Sequence, residues 1–515
     1  RRTVKLALVQ MTAAEVEQYE ETAQKILCLA EEACSQGAEM ILFPECAYPA
    51  YMIGRDSQRH FLKCLPELLE GLSGIAAKNK VYIAVGAAFP EGEKLYNSVI
   101  VYGPDGKMRG KGCKSNLWHF DEKWFTAGGE PFLFDTEFGR IGVMICADGR
   151  VPEVARMLRL GGAQLILDAV NLVASAETPD KLTNQQYQFI LPIRAWENGV
   201  PIAVCGKAGV ESGSVCGLGR SFIASSDGTI IAECSPDREE ILVKDIQLPA
   251  LAPLTLRRPE LYAPLCSPVR LQEQTRWLDN PEQAEVFAAL IRFSAGSRKE
   301  YVLRAEEALK RCGMMDVRLA VLPSTQGFVL ESEDLNAIGS AVVQGTAVVD
   351  CEDKDGNRRA MFLKNSGCVG MLAPTHSGQE EGAEICVLEL FPGCHAAVMF
   401  DEEMAVPEIA RVAMLKGADV ILWLDRKGCG PDKLLAQTRA AENKVFVLRS
   451  GPHGENARSY AVSPDGAQLF TSFFTESQIT SGLINLSLSK CKTVVPGTHI
   501  LRGRHPEIYW SLIQT

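Results

Sequence analysis

Several features that mark particular classes of protein are missing from this sequence. It has no apolar run long enough to cross a bilayer. It also has no excess of basic residues, because 53 Lys and Arg stand against 64 Asp and Glu, giving a net charge of −11. Nucleic acid and anionic lipid recruit basic patches, so this balance argues against both. We expect a small-molecule partner, with no nucleic acid and no membrane.

Signatures of metal and cofactor binding are missing as well. The seven histidines are not grouped with cysteines at ligand spacing, and no glycine-rich phosphate loop follows a strand. The sequence therefore implies neither a metal nor an organic cofactor. Its 17 cysteines are scattered at irregular spacing, many in apolar segments, which is typical of free buried thiols. We expect a reducing, cytoplasmic compartment.

The first residues lack both an initiator methionine and a signal-type apolar core that ends in small residues. Arg1-Arg2-Thr3 leads directly into the apolar residues 4–9, which predict a first strand. The sequence leaves open whether a leader preceded Arg1.

The first half of the chain predicts an α/β fold. Short aliphatic and β-branched runs alternate with longer amphipathic stretches, the pattern of strands layered with helices. Strands are predicted at residues 4–9, 40–43, 81–85, 98–102, 141–145, 165–167 and 202–204. Helices are predicted at about residues 14–34, from Pro152 onward and at 185–198, and turns at 104–106 and 226–228.

The second half of the chain repeats the first. Residues 139–156 match residues 394–411, and both segments contain Val-Pro-Glu followed by Val or Ile and then Ala-Arg. Further matches pair 194–198 with 439–443, and 258–262 with 505–509. Such spaced self-similarity indicates a tandem duplication. We therefore predict a first domain at residues 1–265, a linker at 266–282 and a second domain at 283–515.

Three residues of the first half have the chemistry for attack on a carbon–nitrogen bond. A thiol attacks well only as thiolate, so Cys146 needs a base beside it, and Glu45 is the candidate. Both follow apolar strands, whose ends gather sites in layered α/β folds. Lys114 and the backbone N–H of Ala147 are candidate donors to the oxyanion that forms after attack.

Each of the three lies in a characteristic local sequence: Phe-Pro-Glu45, Lys114-Ser-Asn-Leu, and Gly-Val-Met-Ile-Cys146-Ala-Asp. Together they resemble the catalytic segments of the nitrilase, or carbon-nitrogen hydrolase, superfamily, and the resemblance covers nearly all of residues 3–265. It implies Cys146 as nucleophile, Glu45 as general base and Lys114 as oxyanion stabiliser. It also implies a second glutamate before a Phe-Thr-x-Gly segment. Glu122 is the match, with Asp121 as the alternative because the spacing is one residue short.

The residues beside these segments are candidates for substrate contact, with simple packing as the alternative at each. They are Tyr48, Tyr51, Trp118, His119, Ala147 and Asn171. Ala147 replaces a larger side chain found in many relatives, which predicts an altered pocket near the scissile carbon.

The second repeat lacks most of this apparatus. Asp401 stands at the position of Cys146, and Ser324 follows Leu-Pro at the position of Glu45. Lys364 follows Asp355-Gly356 at the distance by which Lys114 follows Asp105-Gly106, which suggests that the cation is retained. The second repeat is therefore interpreted as a degenerate copy with a structural role.

The resemblance implies a four-layer αββα sandwich for each copy. We expect the two copies to pair within one chain as a pseudo-dimer, and further homo-oligomers are left open. The implied function is hydrolysis of an amide or N-carbamoyl amide in a small molecule through a cysteine acyl-enzyme. A nitrilase or an acyltransferase would use the same triad, and a scaffold built from two retired domains is the non-catalytic alternative.

Overall fold

The computed structural model of the protein describes residues 2–54, 56–268, 285–376, 382–454, 456–473 and 477–515. Most of the predicted linker lies outside the described residues. Within them, no helix is both long enough and apolar enough to span a membrane.

The chain forms two compact units. The first unit contains Arg1–Leu254 and Thr493–Leu512, and the second contains Thr255–Lys492 and Ile513–Thr515. These units are defined by packing, whereas the predicted domains follow the sequence repeat, so the domain limits stay a prediction. One difference matters below: Thr493–Leu512, which belongs to the second repeat by sequence, is part of the first unit.

The first unit alternates strands and helices as the sequence predicts. Its strands are β1 (Thr3–Thr12), β2 (Met40–Leu42), β3 (Tyr82–Glu91), β4 (Lys94–Tyr102), β5 (Met108–Cys113), β6 (Phe132–Thr136), β7 (Gly139–Ile145), β8 (Leu165–Ala169), β9 (Ile202–Cys205), β10 (Lys207–Glu211), β11 (Val215–Leu218), β12 (Phe222–Ala224), β13 (Ile230–Glu233) and β14 (Glu240–Gln247). Its helices are α1 (Tyr19–Ser35), α2 (Leu65–Asn79), α3 (Pro152–Leu160) and α4 (Leu191–Asn198).

The second unit follows the same order of elements. Its strands are β15 (Glu285–Arg292), β16 (Val317–Val321), β17 (Thr346–Glu352), β18 (Arg358–Lys364), β19 (Gly367–Leu372), β20 (Leu388–Phe391), β21 (Cys394–Phe400), β22 (Val420–Leu424), β23 (Phe446–Ser450), β24 (Tyr460–Val462), β25 (Gln468–Thr471) and β26 (Gln478–Asn485). Its helices are α5 (Arg298–Met314), α6 (Ser332–Ser340), α7 (Pro407–Leu415), α8 (Asp432–Asn443) and α9 (Ser487–Lys490). After α9 the chain forms a small hairpin in the first unit, β27 (Thr493–Val495) and β28 (Thr498–His499).

The two units share one sheet topology. In the first unit one sheet has the order β11-β10-β1-β2-β3-β4-β5, with β14 also paired to β1, and the other has the order β13-β12-β9-β8-β7-β6. The second unit has β26-β15-β16-β17-β18-β19 and β25-β24-β23-β22-β21-β20. Within the described ranges, the β10–β11 pair and the β27–β28 hairpin of the first unit lack counterparts in the second unit. The duplication inferred from sequence is therefore a duplication of fold.

Each unit is a four-layer αββα sandwich. In the first unit the buried faces of α1 and α2, including Ile26 and Leu72, pack on Val9 and Ile41 of one sheet. Helices α3 and α4 contact strands β7 and β9 of the other sheet. In the second unit the inner layer joins Leu290 of one sheet to residues of the other, such as Phe400 and Leu422. The predicted fold class is confirmed; the predicted pseudo-dimer stays a prediction.

Two helices differ from their sequence predictions at their starts. Helix α1 begins at Tyr19, after a 3-10 turn at Val16–Gln18. The predicted helix at 185–198 starts with a π-helical turn, Gln186–Ile190, that leads into α4. Pro192 at the start of α4 has no N–H and its ring crowds the carbonyl four residues earlier, which favours the wider turn there.

Candidate active site

The three predicted catalytic side chains lie at the ends of strands in the first unit. Glu45 follows β2 and Lys114 follows β5 in one sheet, while Cys146 follows β7 in the other. Strand β5 packs against β7, which brings the two sheets together at this point. All three side chains are buried, with Glu45 and Lys114 fully inaccessible.

Lys114 lies between two carboxylates. Its Nζ is 2.7 Å from Glu45 Oε1 and 2.5 Å from Asp121 Oδ2. Burial alone would lower the pKa of Lys114, but the charges of Asp121 and Glu45 outweigh burial and raise this pKa well above its usual value. Lys114 is therefore a permanent cation in the site.

The carboxylate of Glu45 is held at one oxygen only. Oε1 accepts hydrogen bonds from Lys114 Nζ and from Asn97 Nδ2, each at 2.7 Å. Within the described residues, Oε2 has no hydrogen-bond partner although it is buried. A buried oxygen without a partner is costly in a folded protein, and such an oxygen is a ready proton acceptor.

The Cys146 thiol is neutral in the resting site. Burial and the charge on Glu45 raise the pKa of the Cys146 thiol well above its usual value, against the opposing charge of Lys114. The backbone N–H of Asn171 donates a hydrogen bond to the sulfur, which also opposes the rise in this pKa. A thiolate on Cys146 therefore requires transfer of its proton to a neighbouring base.

Cys146 occupies a sharp turn between β7 and a 3-10 helix at Cys146–Arg150. Its φ is 51°, in the left-handed region that non-glycine residues rarely adopt. Two side chains hold its peptide groups: Asp168 Oδ1 accepts the N–H of Cys146 at 3.0 Å, and Gln186 Nε2 donates to its carbonyl oxygen at 2.9 Å. Strained backbone persists where surrounding bonds determine it, as they do here.

Asp148 ties the turn of Cys146 to the loop of Lys114. Its Oδ1 accepts the N–H groups of Ser115 at 3.2 Å and of Asn116 at 2.9 Å. Its Oδ2 accepts the N–H of Ile145, at the end of β7, at 3.2 Å. One buried carboxylate thus sets the position of the nucleophile relative to the cation.

The structure places Asp121, and not Glu122, beside Lys114. Glu122 is exposed and borders an open cavity of about 390 Å³ with Lys123 and Trp124. Asp121 is fully buried, and its Oδ2 also accepts the N–H of Trp118 at 3.0 Å. Burial raises the pKa of Asp121. The two residues lie in one 3-10 turn, so their side chains point in different directions. In the sequence, residue type favoured Glu122 and the spacing to Phe-Thr-x-Gly favoured Asp121; which of the two acts in catalysis stays a prediction.

Among the predicted substrate contacts, Tyr51 is the residue that the fold brings to the charged groups. Its ring is buried against Phe120, with centroids 5.4 Å apart. Burial and the negative charges of Asp121 and Glu45 raise the pKa of Tyr51, whereas the positive charge of Lys114 opposes this rise. Its hydroxyl has no hydrogen-bond partner within the part of the chain that the structure describes.

Tyr48 faces a different region, because its hydroxyl donates to the carbonyl of Phe61 and its ring packs on the Phe61 ring. It is placed as a packing residue.

The other candidates divide by burial. Ala147 and Asn171 are buried directly beside Cys146. Trp118 is half-buried, with the guanidinium of Arg150 5.2 Å from its ring centre. His119 is exposed, with its ring 5.1 Å from that of Phe120. The site thus has a closed polar base and an aromatic outer wall.

Several residues of the site escaped sequence reasoning. Asn97, Asp148, Asp168 and Gln186 are all buried polar side chains that bond to the catalytic segments. Asp168 carried one usable signal, because a carboxylate inside the apolar run Leu165–Ala169 is unusual. Among the described residues, no group of three or more His, Cys, Asp and Glu side chains is arranged to hold a metal ion.

Comparison with known proteins identifies the family of the chain. The family model for carbon-nitrogen hydrolases matches residues 5–255 and again residues 379–490. The chain belongs to the carbon-nitrogen hydrolase family. It carries two copies of the family fold in tandem, and the first contains the site described above.

Similar proteins of the family include enzymes of more than one name. A nitrilase of Pyrococcus abyssi is 34% identical over 251 residues, which is 48% of this chain and 90% of that protein. The omega-amidase NIT2 of Mus musculus is 28% identical over 273 residues, 50% of this chain and 94% of that protein. Among solved structures, an amidase from Nesterenkonia sp. is 25% identical with a TM-score of 0.43, covering 48% of this chain and 92% of that one.

The second carbon-nitrogen hydrolase copy keeps the turn of the nucleophile without the thiol. Asp401 has a φ of 45° at the end of β21 and begins a 3-10 turn, as Cys146 does after β7. Glu403 accepts the N–H groups of Thr375, His376 and Phe400, the pattern that Asp148 makes in the first unit. The backbone of the site has been retained while its chemistry has changed.

This bonding pattern also identifies the counterpart of Lys114. Thr375 and His376 bond to Glu403 as Ser115 and Asn116 bond to Asp148, so Pro374 occupies the position of Lys114. Lys364 instead ends β18, one strand earlier. The prediction that Lys364 retains the cation is wrong, because Asp355-Gly356 is the turn before β18, whereas Asp105-Gly106 is the turn before β5.

An ion-pair cluster fills the corresponding place in the second unit. Arg358 lies 2.5 Å from Asp401 and 2.8 Å from Asp350, and Arg426 lies 2.6 Å from Asp350 and also pairs with Glu352. These partners neutralise Asp401 and occupy its carboxylate. Ser324, at the position of Glu45, is within hydrogen-bond distance of His453, at 3.1 Å.

Proposed function

We propose that the first unit hydrolyses the carbon–nitrogen bond of a small-molecule amide or N-carbamoyl amide through a thioester on Cys146. Glu45 is the general base, and Lys114 with the backbone N–H of Ala147 stabilises the oxyanion. The observation that carries this proposal is the buried contact of 2.7 Å between Lys114 and Glu45 beside the Cys146 thiol. Such a cation and base next to a nucleophile form the minimal set for acyl transfer.

In the first step, Glu45 Oε2 takes the thiol proton as Sγ bonds to the carbonyl carbon. The substrate carbonyl becomes an oxyanion, and the charge of Lys114 and the N–H of Ala147 stabilise it. The raised pKa of the thiol supports this order, since the proton leaves only as the new bond forms. The closed, low-dielectric setting strengthens each of these interactions.

In the second step, protonated Glu45 donates its proton to the leaving nitrogen. The carbon–nitrogen bond breaks, the carbonyl re-forms and a thioester remains on Cys146. Water then loses a proton to Glu45 and attacks the thioester, again through an oxyanion. Collapse releases the acid, and the thiol regains its proton from Glu45.

Asp121 has a separate role in this scheme. When Glu45 accepts a proton it loses its charge, and Lys114 would otherwise lose its only partner. Asp121, 2.5 Å from Lys114, keeps the ammonium in place through that change. Two carboxylates around one lysine therefore allow one of them to titrate during turnover.

The walls of the site favour a compact polar substrate. Tyr51 offers a buried hydroxyl next to the charged groups, suited to a hydrogen bond with the acyl portion. Ala147 leaves space beside the reacting carbon because its side chain is a single methyl. The named activities of the similar proteins, omega-amidase and nitrilase, place both amides and nitriles in the set of compounds to test.

The test is ammonia release from a panel of amides, N-carbamoyl compounds and nitriles, with intact-mass detection of the acyl adduct. We expect turnover and a trapped adduct in the wild type and neither in Cys146→Ala. Cys205→Ala is the matched control, because Cys205 is also buried but its thiol donates to the carbonyl of Val9. It should keep turnover per folded molecule.

The panel also separates the alternatives. If the protein forms an acid from nitriles but not from amides, its activity is nitrile hydrolysis. If a product forms only when an amine or hydroxyl acceptor is added, its activity is acyl transfer. No turnover and no adduct with any compound would overturn the proposal and favour a binding protein.

A further inference from the structure

The last part of the second repeat lies in the first unit. Thr493–Leu512 contains the β27–β28 hairpin and a 3-10 turn at Pro506–Ile508, and these residues pack with Arg1–Leu254. The segment therefore belongs by sequence to the degenerate copy and by packing to the copy with the candidate active site.

The hairpin bonds directly to the loop that carries Asp121. Thr498 Oγ1 accepts the backbone N–H of His119 at 2.8 Å. At Gly497 a side-chain methyl would lie 2.3 Å from the carbonyl oxygen of His119, so only glycine allows this approach. His119 itself has a φ of 53°, a rare conformation that the contact helps to hold.

His119 lies within a closed hydrogen-bonded turn formed by residues 118–121. The N–H of Asp121 bonds to the carbonyl of Trp118 at 2.9 Å, and the N–H of Trp118 bonds to Asp121 Oδ2 at 3.0 Å. The same Oδ2 is 2.5 Å from Lys114 Nζ. A shift of the peptide at His119 is therefore transmitted to the carboxylate that holds Lys114.

A second anchor of the segment lies after the nucleophile. Arg504 is 3.9 Å from Glu153 at the start of α3, seven residues beyond Cys146, and both side chains are buried. The guanidinium of Arg504 is 5.5 Å from the ring centre of Tyr509. The segment thus contacts the elements on both sides of the candidate site.

The equivalent segment of the first repeat makes matching arginine and tyrosine contacts in the second unit. Arg257 is 2.9 Å from Glu408 at the start of α7 and 5.6 Å from the ring centre of Tyr262. Each tyrosine hydroxyl accepts the N–H four residues earlier, that of Arg258 at 3.0 Å and that of His505 at 3.2 Å. Each unit therefore contains the tail of the other repeat, attached in the same way.

We propose that Thr493–Leu512 is a positioning element of the active site: Gly497 and Thr498 fix the 118–121 loop and so hold Asp121 against Lys114. This inference rests on the proposed function, and it gives the degenerate repeat a defined task. The second repeat, which has no cysteine nucleophile, thus supplies the segment that holds the 118–121 loop of the first repeat in place.

The test compares Gly497→Ala with Gly213→Ala in the full chain. Both glycines have a positive φ, 84° and 62°, but a methyl at Gly213 meets nothing within 4 Å. Both variants thus acquire backbone strain, and only Gly497→Ala pushes on His119. We expect Gly497→Ala to lower kcat at least 10-fold with little change in KM, while Gly213→Ala keeps both values.

A second pair of variants, at Thr498, tests the same contact in case Gly497→Ala does not fold. Thr498→Ser keeps the hydroxyl acceptor and should retain kcat, whereas Thr498→Val removes it and should lower kcat. Amide hydrogen exchange of a peptide over residues 117–123 is the readout that does not depend on turnover. Faster exchange there in Gly497→Ala and Thr498→Val, with the matched variants unchanged, is expected.

The outcomes are separable from those of the proposed function. If the wild type turns over nothing, the exchange rates alone decide whether the hairpin holds the loop. Unchanged exchange at 117–123 in both Gly497→Ala and Thr498→Val would overturn the positioning role. The positioning role would also be overturned if Gly213→Ala lost as much kcat as Gly497→Ala, and Thr498→Ser as much as Thr498→Val. Equal losses within each pair would indicate a merely structural role.

Discussion

Asp168 accepts the backbone N–H of Cys146 at 3.0 Å. In the second unit, the residue at the same strand position donates a hydrogen bond to the corresponding turn instead of accepting one. There Trp423, which pairs with Met399 as Asp168 pairs with Met144, donates its indole N–H to the carbonyl of Asp401 at 3.0 Å. Both units thus fix the strained turn from the neighbouring strand. Asp168 is a positioning residue for the proposed nucleophile.

Asp168 lends itself to a pair of substitutions. Asp168→Asn keeps the oxygen that accepts the N–H of Cys146 and should leave kcat within a few-fold of wild type. Asp168→Leu leaves this N–H buried without a partner, which costs about 1–3 kcal/mol of stability and should reduce kcat sharply. Urea unfolding and steady-state kinetics measure both effects. Equal kcat values for the two variants would contradict the positioning role.

The same residue predicts a pH dependence of stability. Burial raises the pKa of Asp168 well above its usual value, so the folded protein retains a proton that the unfolded chain releases. The stability of the wild type should therefore fall as pH rises above about 4, the pKa of an unfolded aspartate. Asp168→Asn lacks this loss, so its stability relative to wild type should increase between pH 4 and pH 8. A constant difference across that range would refute the assignment.

Removal of the proposed base should affect chemistry more than folding. Glu45→Gln keeps a side-chain oxygen for Lys114 and Asn97 but cannot accept a proton, so we expect kcat to fall by about 10²–10⁴. Glu211→Gln is the control, because Glu211 is also a buried glutamate and accepts the N–H of Met52 at 2.6 Å. Steady-state rates corrected for folded fraction distinguish the two. Comparable losses in both variants would assign the effect to folding.

Alkylation of Cys146 should report the charge on Glu45. Since burial and Glu45 raise the pKa of this thiol, its reaction with iodoacetamide in the wild type should be slow near neutral pH and should increase into the alkaline range. In Glu45→Gln one of these causes is gone, so the midpoint of the rate against pH should move to lower pH. Peptide-resolved mass spectrometry follows Cys146 among the 17 cysteines. A midpoint that does not move would show that Glu45 and the thiol are not electrostatically coupled.

Substitutions of Asp121 and of Glu122 should have different effects on kcat/KM. Asp121→Asn removes the charge 2.5 Å from Lys114 and should lower kcat/KM about 100-fold through misplacement of the ammonium. Glu122→Gln changes an exposed side chain and should stay close to wild type. Kinetics on both proteins decide the matter. A larger loss in Glu122→Gln than in Asp121→Asn would restore Glu122 as the second acid.

The second unit should not regain activity from a thiol alone. In Asp401→Cys combined with Cys146→Ala, the new thiol lies in the same type of turn, but Ser324 and Pro374 stand where a base and a cation are needed. We therefore expect no acyl adduct and no turnover by intact-mass analysis, as in Cys146→Ala. An adduct on the new cysteine would show that the second site is still competent.

The chain itself was sufficient for the repeat and for an α/β fold of alternating strands and helices. The αββα class and the roles of the three central residues came from the resemblance to the nitrilase superfamily, and those roles stay a proposal. These features could be recognised because they are written locally. Strands are short aliphatic runs, Glu45 and Cys146 each follow one, and Lys114 lies in a characteristic Lys-Ser-Asn-Leu segment after β5, which is not an aliphatic run. The position of Ser324 opposite Glu45 followed from the shared Leu- or Phe-Pro sequence before it. Local spacing failed where a turn was assigned to the wrong strand, as for Lys364.

Tertiary structure decided which polar side chains meet. Asp121 rather than Glu122 reaches Lys114 because a 3-10 turn directs adjacent side chains apart. Tyr51 lies beside the charged groups, whereas the Tyr48 hydroxyl is bonded to the carbonyl of Phe61. Asn97, Asp148 and Asp168 are separated from their partners by up to 52 residues, a distance that no local pattern reports. The placement of Thr493–Leu512 in the first unit likewise depends on packing. A segment packs on the surface that buries its apolar groups, whatever its position in the chain.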